Sequence, residues 1–469
     1  METNRFSGRV AAMTLASVLT LAGCWGVWRL RVGAATPAPT SRSASPVTTP
    51  DATLAEITTP LRASASDRDI DKWAAQAKKK PRETTSWVRL GDSFMQKARE
   101  TADLSFYGKA EGCYAKALVI SPTRTEAIIG QAWVNSGRHE FEKSVELANK
   151  ALAIDPENNE AFGLMGDAYV EMGKYDDAMI QYQKMLDLRP DLSSYSRGAH
   201  MMQLTGDTRK ALWLIDKAIK AGGPYAENTA WCRAQEAQML LGVGAYMPAD
   251  KLMTEALKNN PKNYHLLVTQ GRTKSALKQY PAAIESFKKA IEIAPQVDAV
   301  IALGDLYTVT GKPELAKNQY DLVESIHKLN KANGVRGDLQ IAQYYADHDI
   351  RLPEALKMAE EECKTRSNVY AEDILAWCYF KNDRLPEAKN AIETALSKKT
   401  PEALFLYHKG MIEAKLGEVS EARKTLYEAL SVSPNFHPIY ARFAEEEVKK
   451  QGAISSEKAR GKPVSIVGK

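Results

Sequence analysis

The chain has 469 residues, of which 44% are hydrophobic and 26% charged, with 28 glycines and 21 prolines. That fits a folded body or an extended array, and it excludes a collagen-like chain, a polytopic membrane protein and a disulfide-dense mini-domain. The net charge of +5 sits at the ends: residues 449–469 carry a net +5 and residues 1–60 a net +2, leaving 61–448 at −2, without the basic face a nucleic-acid binder needs.

The N-terminal 32 residues read as a signal peptide or membrane anchor. Val10 to Trp28 is an apolar run of 19 residues between Arg9 and Arg29. It is long enough to span a bilayer or to serve as the core of a secretory signal. Within it, Leu21-Ala22-Gly23-Cys24 resembles the bacterial lipobox, which makes Cys24 the lipidation candidate. The apolar run continues through Trp25 and Trp28, which suits the interfacial belt of an uncleaved anchor. Both readings stay open, beside a conventional cleaved signal. Each is expected to place the body outside the cytoplasm, in the periplasm of a bacterium. Residues 33–66 are rich in Pro, Ser and Thr and read as a tether of roughly 30 Å reach.

An N-capping helix is expected at 67–83, where Ile70, Trp73 and Ala77 share one helical face. From 84 to 436 one pattern recurs. Trp87, Leu90-Gly91 and Phe94 are followed by Ala110, Tyr114, Ala117 and Pro122. Residues 159–192 repeat it with Phe162, Met165-Gly166, Tyr169, Gly173, Ala178, Tyr182 and Pro190, and 264–297 with Gly271, Tyr280, Ala283, Phe287, Ala290 and Pro295. The small residues let two helices approach closely, glycine near position 15 ends the first helix, and proline near position 32 stops the second. A seven-residue insertion lies between Phe94 and Ala110, and the copy at 123–158 is read with two extra residues in its turn. This spacing resembles the tetratricopeptide repeat, a 34-residue helix–turn–helix. The resemblance implies an all-α fold: an α-solenoid of about ten repeats wound into a right-handed superhelix.

Seven repeats fall in 84–330 and three in 331–436, with a bend expected near Lys328–Gly337 where Asn333-Gly334 interrupts the pattern. A C-capping helix at 437–450 and a disordered basic tail at 451–469 end the chain.

Motifs for catalysis are absent: there is no G-x-S-x-G, H-E-x-x-H or C-x-x-C. Asp347-His348-Asp349 is read as a turn and cap. Cys113, Cys232, Cys363 and Cys378 are read as free thiols, with a Cys363–Cys378 bridge as the alternative. No enzyme activity, cofactor, metal, nucleic acid or small-molecule substrate is expected. The resemblance implies a scaffold whose first helices line a groove for protein or peptide partners. The Lys, Asn and Arg carboxylate clamp of one subgroup is missing, since positions 5 and 9 of the first four repeats read Val88 and Asp92, Ala127 and Gln131, Gly163 and Asp167, Ser196 and His200. Tyr370, Asp373, Trp377 and Phe380 form one helical stripe, continued by Tyr407 and Met411. These six are the candidate partner anchors on the groove, and burial between helices is the alternative for them.

Overall fold

The computed structural model describes residues 64–332 and 338–450, and every regular element among them is a helix. The apolar run 10–28, Cys24, the tether up to residue 63, the interruption at 333–337 and the basic tail lie outside the described residues.

Helix α1 (Ala65–Lys79) caps the array, and ten antiparallel pairs follow. They are α2 (Thr84–Thr101) with α3 (Ser105–Ile120), α4 (Thr125–Gly137) with α5 (Phe141–Ile154), α6 (Asn159–Glu171) with α7 (Tyr175–Leu188), α8 (Leu192–Leu204) with α9 (Thr208–Ala221), and α10 (Ala226–Gly242) with α11 (Tyr246–Asn259). Then come α12 (Tyr264–Ala276) with α13 (Tyr280–Ile293), α14 (Val297–Val309) with α15 (Pro313–Ala332), α16 (Asp338–Asp347) with α17 (Leu352–Glu362), α18 (Val369–Lys381) with α19 (Leu385–Leu396), and α20 (Ala403–Lys415) with α21 (Val419–Val432). Helix α22 (Tyr440–Lys450) closes the array. Each pair packs internally and against the next, as a solenoid requires.

The repeat pattern has a direct steric cause. The second helix of a pair lays a large side chain over the small residue of the first. A Cβ on Gly166 would stand 2.3 Å from the Tyr182 ring, and one on Gly304 2.5 Å from the Tyr320 ring. Alanines of the second helix close the same contact, and Ala178 and Ala283 are fully buried. Replacing either by Leu is expected to lower stability by about 1–3 kcal/mol through overpacking. An unchanged urea midpoint for both variants would contradict this register.

The structure corrects the second repeat. It runs in step from Thr125, with no extra residues in its turn, and His139 adopts the left-handed conformation (φ 64°) where Gly173, Gly206, Gly244, Gly311 and Gly417 stand in other copies. Gly130 is instead a contact for Tyr114, whose ring would lie 2.3 Å from an added Cβ. The insertion in the first repeat is absorbed by lengthening both helices, α2 to 18 residues against 13 in α4 and α3 to 16 against 14 in α5, with Ala102 after α2 in the left-handed region. Helix α15 runs to 20 residues, longer than the 14 of α13. Helix α1 begins with a capping box, in which the Ser64 hydroxyl accepts from the Asp67 amide and the Asp67 carboxylate accepts from the Ser64 amide.

Candidate functional site

The first helices of the pairs form the inner wall of the solenoid, and that wall offers little free surface. Val88, Asp92, Ala127, Asp167 and Ser196 are buried, while Gln131 and His200 are half-buried. Asp167 is held by Arg197 in a two-pronged pair at 2.9 and 2.7 Å and accepts from the Tyr182 hydroxyl at 2.9 Å. Burial pushes the Asp92 carboxyl up to about 7, against the pull of Arg89. The wall is therefore stitched by its own side chains rather than left open.

The aromatic stripe of the last repeats is brought together, but not as open anchors. Trp377 and Asp373 are each 2% exposed. The indole stacks on Phe380 (centroids 4.7 Å apart) and on His408 (4.2 Å). Its Nε1 donates to Asp347 at 2.9 Å. Asp373 pairs with His408 Nδ1 at 2.9 Å, and both groups are buried. Tyr370 packs edge-on against Phe405. Tyr407 lies under the ring of Tyr440 from α22 (5.0 Å), and Met411 is half-buried. Tyr370, Asp373, Trp377, Phe380 and Tyr407 are buried here, as in the alternative reading of the stripe in which its side chains pack between helices. The physical reason is the neighbouring repeat and the end of the chain: Phe405 and His408 cover Tyr370, Asp373 and Trp377, while Tyr440 at the start of α22 covers Tyr407 and reaches Asp347 through its hydroxyl at 2.8 Å.

The Asp347-His348-Asp349 run does more than cap a turn. Asp349 takes the turn (φ 54°) and pairs with Lys381, but Asp347 and His348 join the wall. His348 Nε2 lies 3.0 Å from Asp305, which also accepts from the Tyr320 hydroxyl at 2.9 Å. Among the described residues no three His, Cys, Asp or Glu side chains are grouped to hold a metal ion. Cys113, Cys232 and Cys378 are buried thiols and Cys363 is partly buried, with no bridge among the described cysteines.

Burial raises the Asp347 carboxyl from 3.8 to about 6, partly offset by His408 and the Tyr440 hydrogen bond. A carboxyl raised in the folded state binds its proton more tightly there than in the unfolded chain. Its contribution to stability is present below pH 4 and is lost as pH rises through 6. Asp347→Asn is expected to flatten that part of the stability–pH profile. A profile unchanged from pH 4 to 7 would contradict this burial.

A second feature has no counterpart in the sequence reading. Turns within the middle repeats meet turns between the last repeats, 159–197 residues away, a distance of roughly five to six repeat lengths. After α6, Glu171 accepts from Arg366 Nε at 2.5 Å and from Asn368 at 2.9 Å. The Tyr175 hydroxyl accepts from the Val369 amide at 2.7 Å. After α8, Thr400 donates to the Leu204 carbonyl at 2.7 Å. After α10, Ser433 donates to the Leu241 carbonyl at 3.1 Å, and the Asn435 amide donates to the Tyr246 hydroxyl at 2.8 Å. After α12, Asn435 Nδ2 donates to the Ala276 carbonyl at 2.8 Å. The C-terminal carbonyls of first helices, which have no intrahelical partner, are thus satisfied by the next superhelical turn. Gly173 (φ 70°) and Gly206 (φ 84°) bring backbone against backbone: a Cβ would lie 2.5 Å from the Ser367 carbonyl and 2.7 Å from that of Lys399. A similar seam joins the first repeat to the fifth, where Glu227 takes Arg99 at 3.2 Å and Gln96 at 3.1 Å.

Family models described as tetratricopeptide repeat match residues 136–199, 264–297 and 375–435, so the chain contains tetratricopeptide repeats. It is similar to BBSome complex member BBS4 of Bos taurus, at 24% identity over 44% of this chain and 39% of that protein. Anaphase-promoting complex subunit 3 of Schizosaccharomyces pombe is 24% identical over 48% of this chain and 35% of its own length. The chain therefore spans little more than a third of these curated relatives. Among solved structures, the APC/C hetero-tetramer Cut9-Hcn1 is 12% identical with a TM-score of 0.37 over 83% of this chain and 96% of that one. Yeast Tom70 is 15% identical with a TM-score of 0.34 over 82% of this chain and 97% of its own.

Proposed function

We propose that this chain, whose body is built of tetratricopeptide repeats, is a non-enzymatic scaffold that binds protein partners and is held at a membrane by its N-terminal segment. The observation that carries the reading is the array of ten helix pairs among the described residues, α2 to α21, with an inner wall rich in aromatic and polar groups. Proteins with such repeats are mostly interaction modules, and two of the relatives are by name members of complexes. No described helix is long and apolar enough to cross a membrane, and the tethering proposal rests on residues 10–28, outside the described part. The body is placed on the extracytoplasmic side, with an adaptor facing the cytosol as the second reading.

The partner surface in this reading is the part of the tenth repeat's inner wall where Met411 is half-buried, with Tyr370, Asp373, Trp377, Phe380 and Tyr407 supporting it from beneath. The test is in-cell cross-linking of the full chain followed by identification of the captured protein. Met411→Glu alters a half-buried position and is expected to abolish that cross-link with the melting curve kept. Retention of the same cross-link would remove the inner wall as the partner site. Fatty-acid labelling that is lost in Cys24→Ala would support lipidation. Unlabelled full-length wild type would support the signal anchor.

A further inference from the structure

We infer that the chain stacks head to tail on further copies of itself, continuing between molecules the seam that it forms within one. The seam joins two different edges of the helical ribbon. One edge carries the turns inside repeats, the other the turns between repeats. An interface between unlike surfaces leaves one unused surface of each kind at its ends, and so can propagate.

Both unused edges are present. In the seam, Arg366, Asn368, Thr400 and Ser433 of the inter-repeat turns are buried. The matching residues Pro122, Pro156 and Pro190 of the first repeats are exposed. Gly173 and Gly206 abut a carbonyl of the adjoining turn, whereas Gly311 and Gly417 have nothing within 4 Å of an added Cβ.

The chemistry of the free edges is also paired. Within the seam, the first residue of one second helix faces the end of another: Lys398 lies over the ring of Tyr175 at 5.4 Å. The residues at the place of Lys398 in the first three repeats are Ile120, Ile154 and Leu188, which are 38%, 42% and 42% exposed. The residues at the place of Tyr175 in the last three repeats are Leu352, Leu385 and Val419, of which Val419 is 53% exposed and the other two half-buried. Where the internal seam uses tyrosines and a lysine, the free edges carry aliphatic side chains on both sides. Each row has the spacing of successive repeats, so one row meets the other in register. Burying such rows removes apolar surface that neither edge can cover alone. The occupant is a second copy because the edge that fits belongs to this chain.

The test uses the full chain in mild detergent, followed by sedimentation velocity. Wild type is expected to form concentration-dependent species larger than the monomer. Val419→Asp spoils one edge and Ile154→Asp the other, and each alone is expected to sediment as a monomer with an unchanged melting curve. Mixed together they retain one good edge each, so the mixture is expected to give a 1:1 dimer and nothing larger. A monomeric wild type would overturn the inference. So would a mixture that stays monomeric, which is the mark of a symmetric contact, or oligomers that both variants retain.

Discussion

Trp377→Ala is expected to destabilise the chain by about 3–5 kcal/mol. The indole is 2% exposed and is gripped on two faces, by Phe380 and His408. Its removal also strips Asp347 of an N–H donor in a buried setting, which adds to the cavity cost. Urea denaturation followed by circular dichroism reads the effect as a lower midpoint. The same variant separates two roles for the ring. A ring serving only as a partner anchor would leave the midpoint in place while binding fell. A ring holding α16, α18 and α20 together lowers the midpoint, and binding falls in step with unfolding.

Glu171→Ala is the second large effect. The carboxylate is fully buried and takes Arg366 and Asn368 from the adjoining superhelical turn. Removing it leaves a buried guanidinium without its partner, at a cost of about 3–5 kcal/mol. The loss is expected to appear at both ends of the seam. Hydrogen exchange should rise near Met172 and near Val369, although 197 residues separate these turns' most distant hydrogen-bonded pair. Faster exchange confined to α6 and α7 would place Glu171 in an ordinary repeat contact.

The repeats were legible because each demands a local residue type. Gly166 and Ala178 are small because Tyr182 and the facing helix leave no room, and that need recurs at a fixed spacing. The second repeat was misread by two residues because His139 occupies a left-handed turn that glycine marks in copies such as those of Gly173 and Gly206. The aromatic stripe was legible as one face of α18, yet the face does not say what covers it. Part of the cover is Tyr440, 63 residues beyond Trp377, on a helix whose sequence shows chiefly its charged outer side. The seam was not legible at all. Glu171, Arg366 and Thr400 are unremarkable turn residues, and their meeting depends on the pitch accumulated over more than five repeats. That pitch arises from many small packing angles, none of which leaves a motif.

Successive turns of the solenoid lie in contact and close its inner wall. A double-mutant cycle on Glu171→Gln and Arg366→Met tests this contact most directly, because the two residues approach only if the turns stack. The account predicts a coupling energy of about 1–3 kcal/mol between the two substitutions. Additive losses, with a coupling indistinguishable from zero, would mean that the turns stand apart in solution and that the inner wall is open.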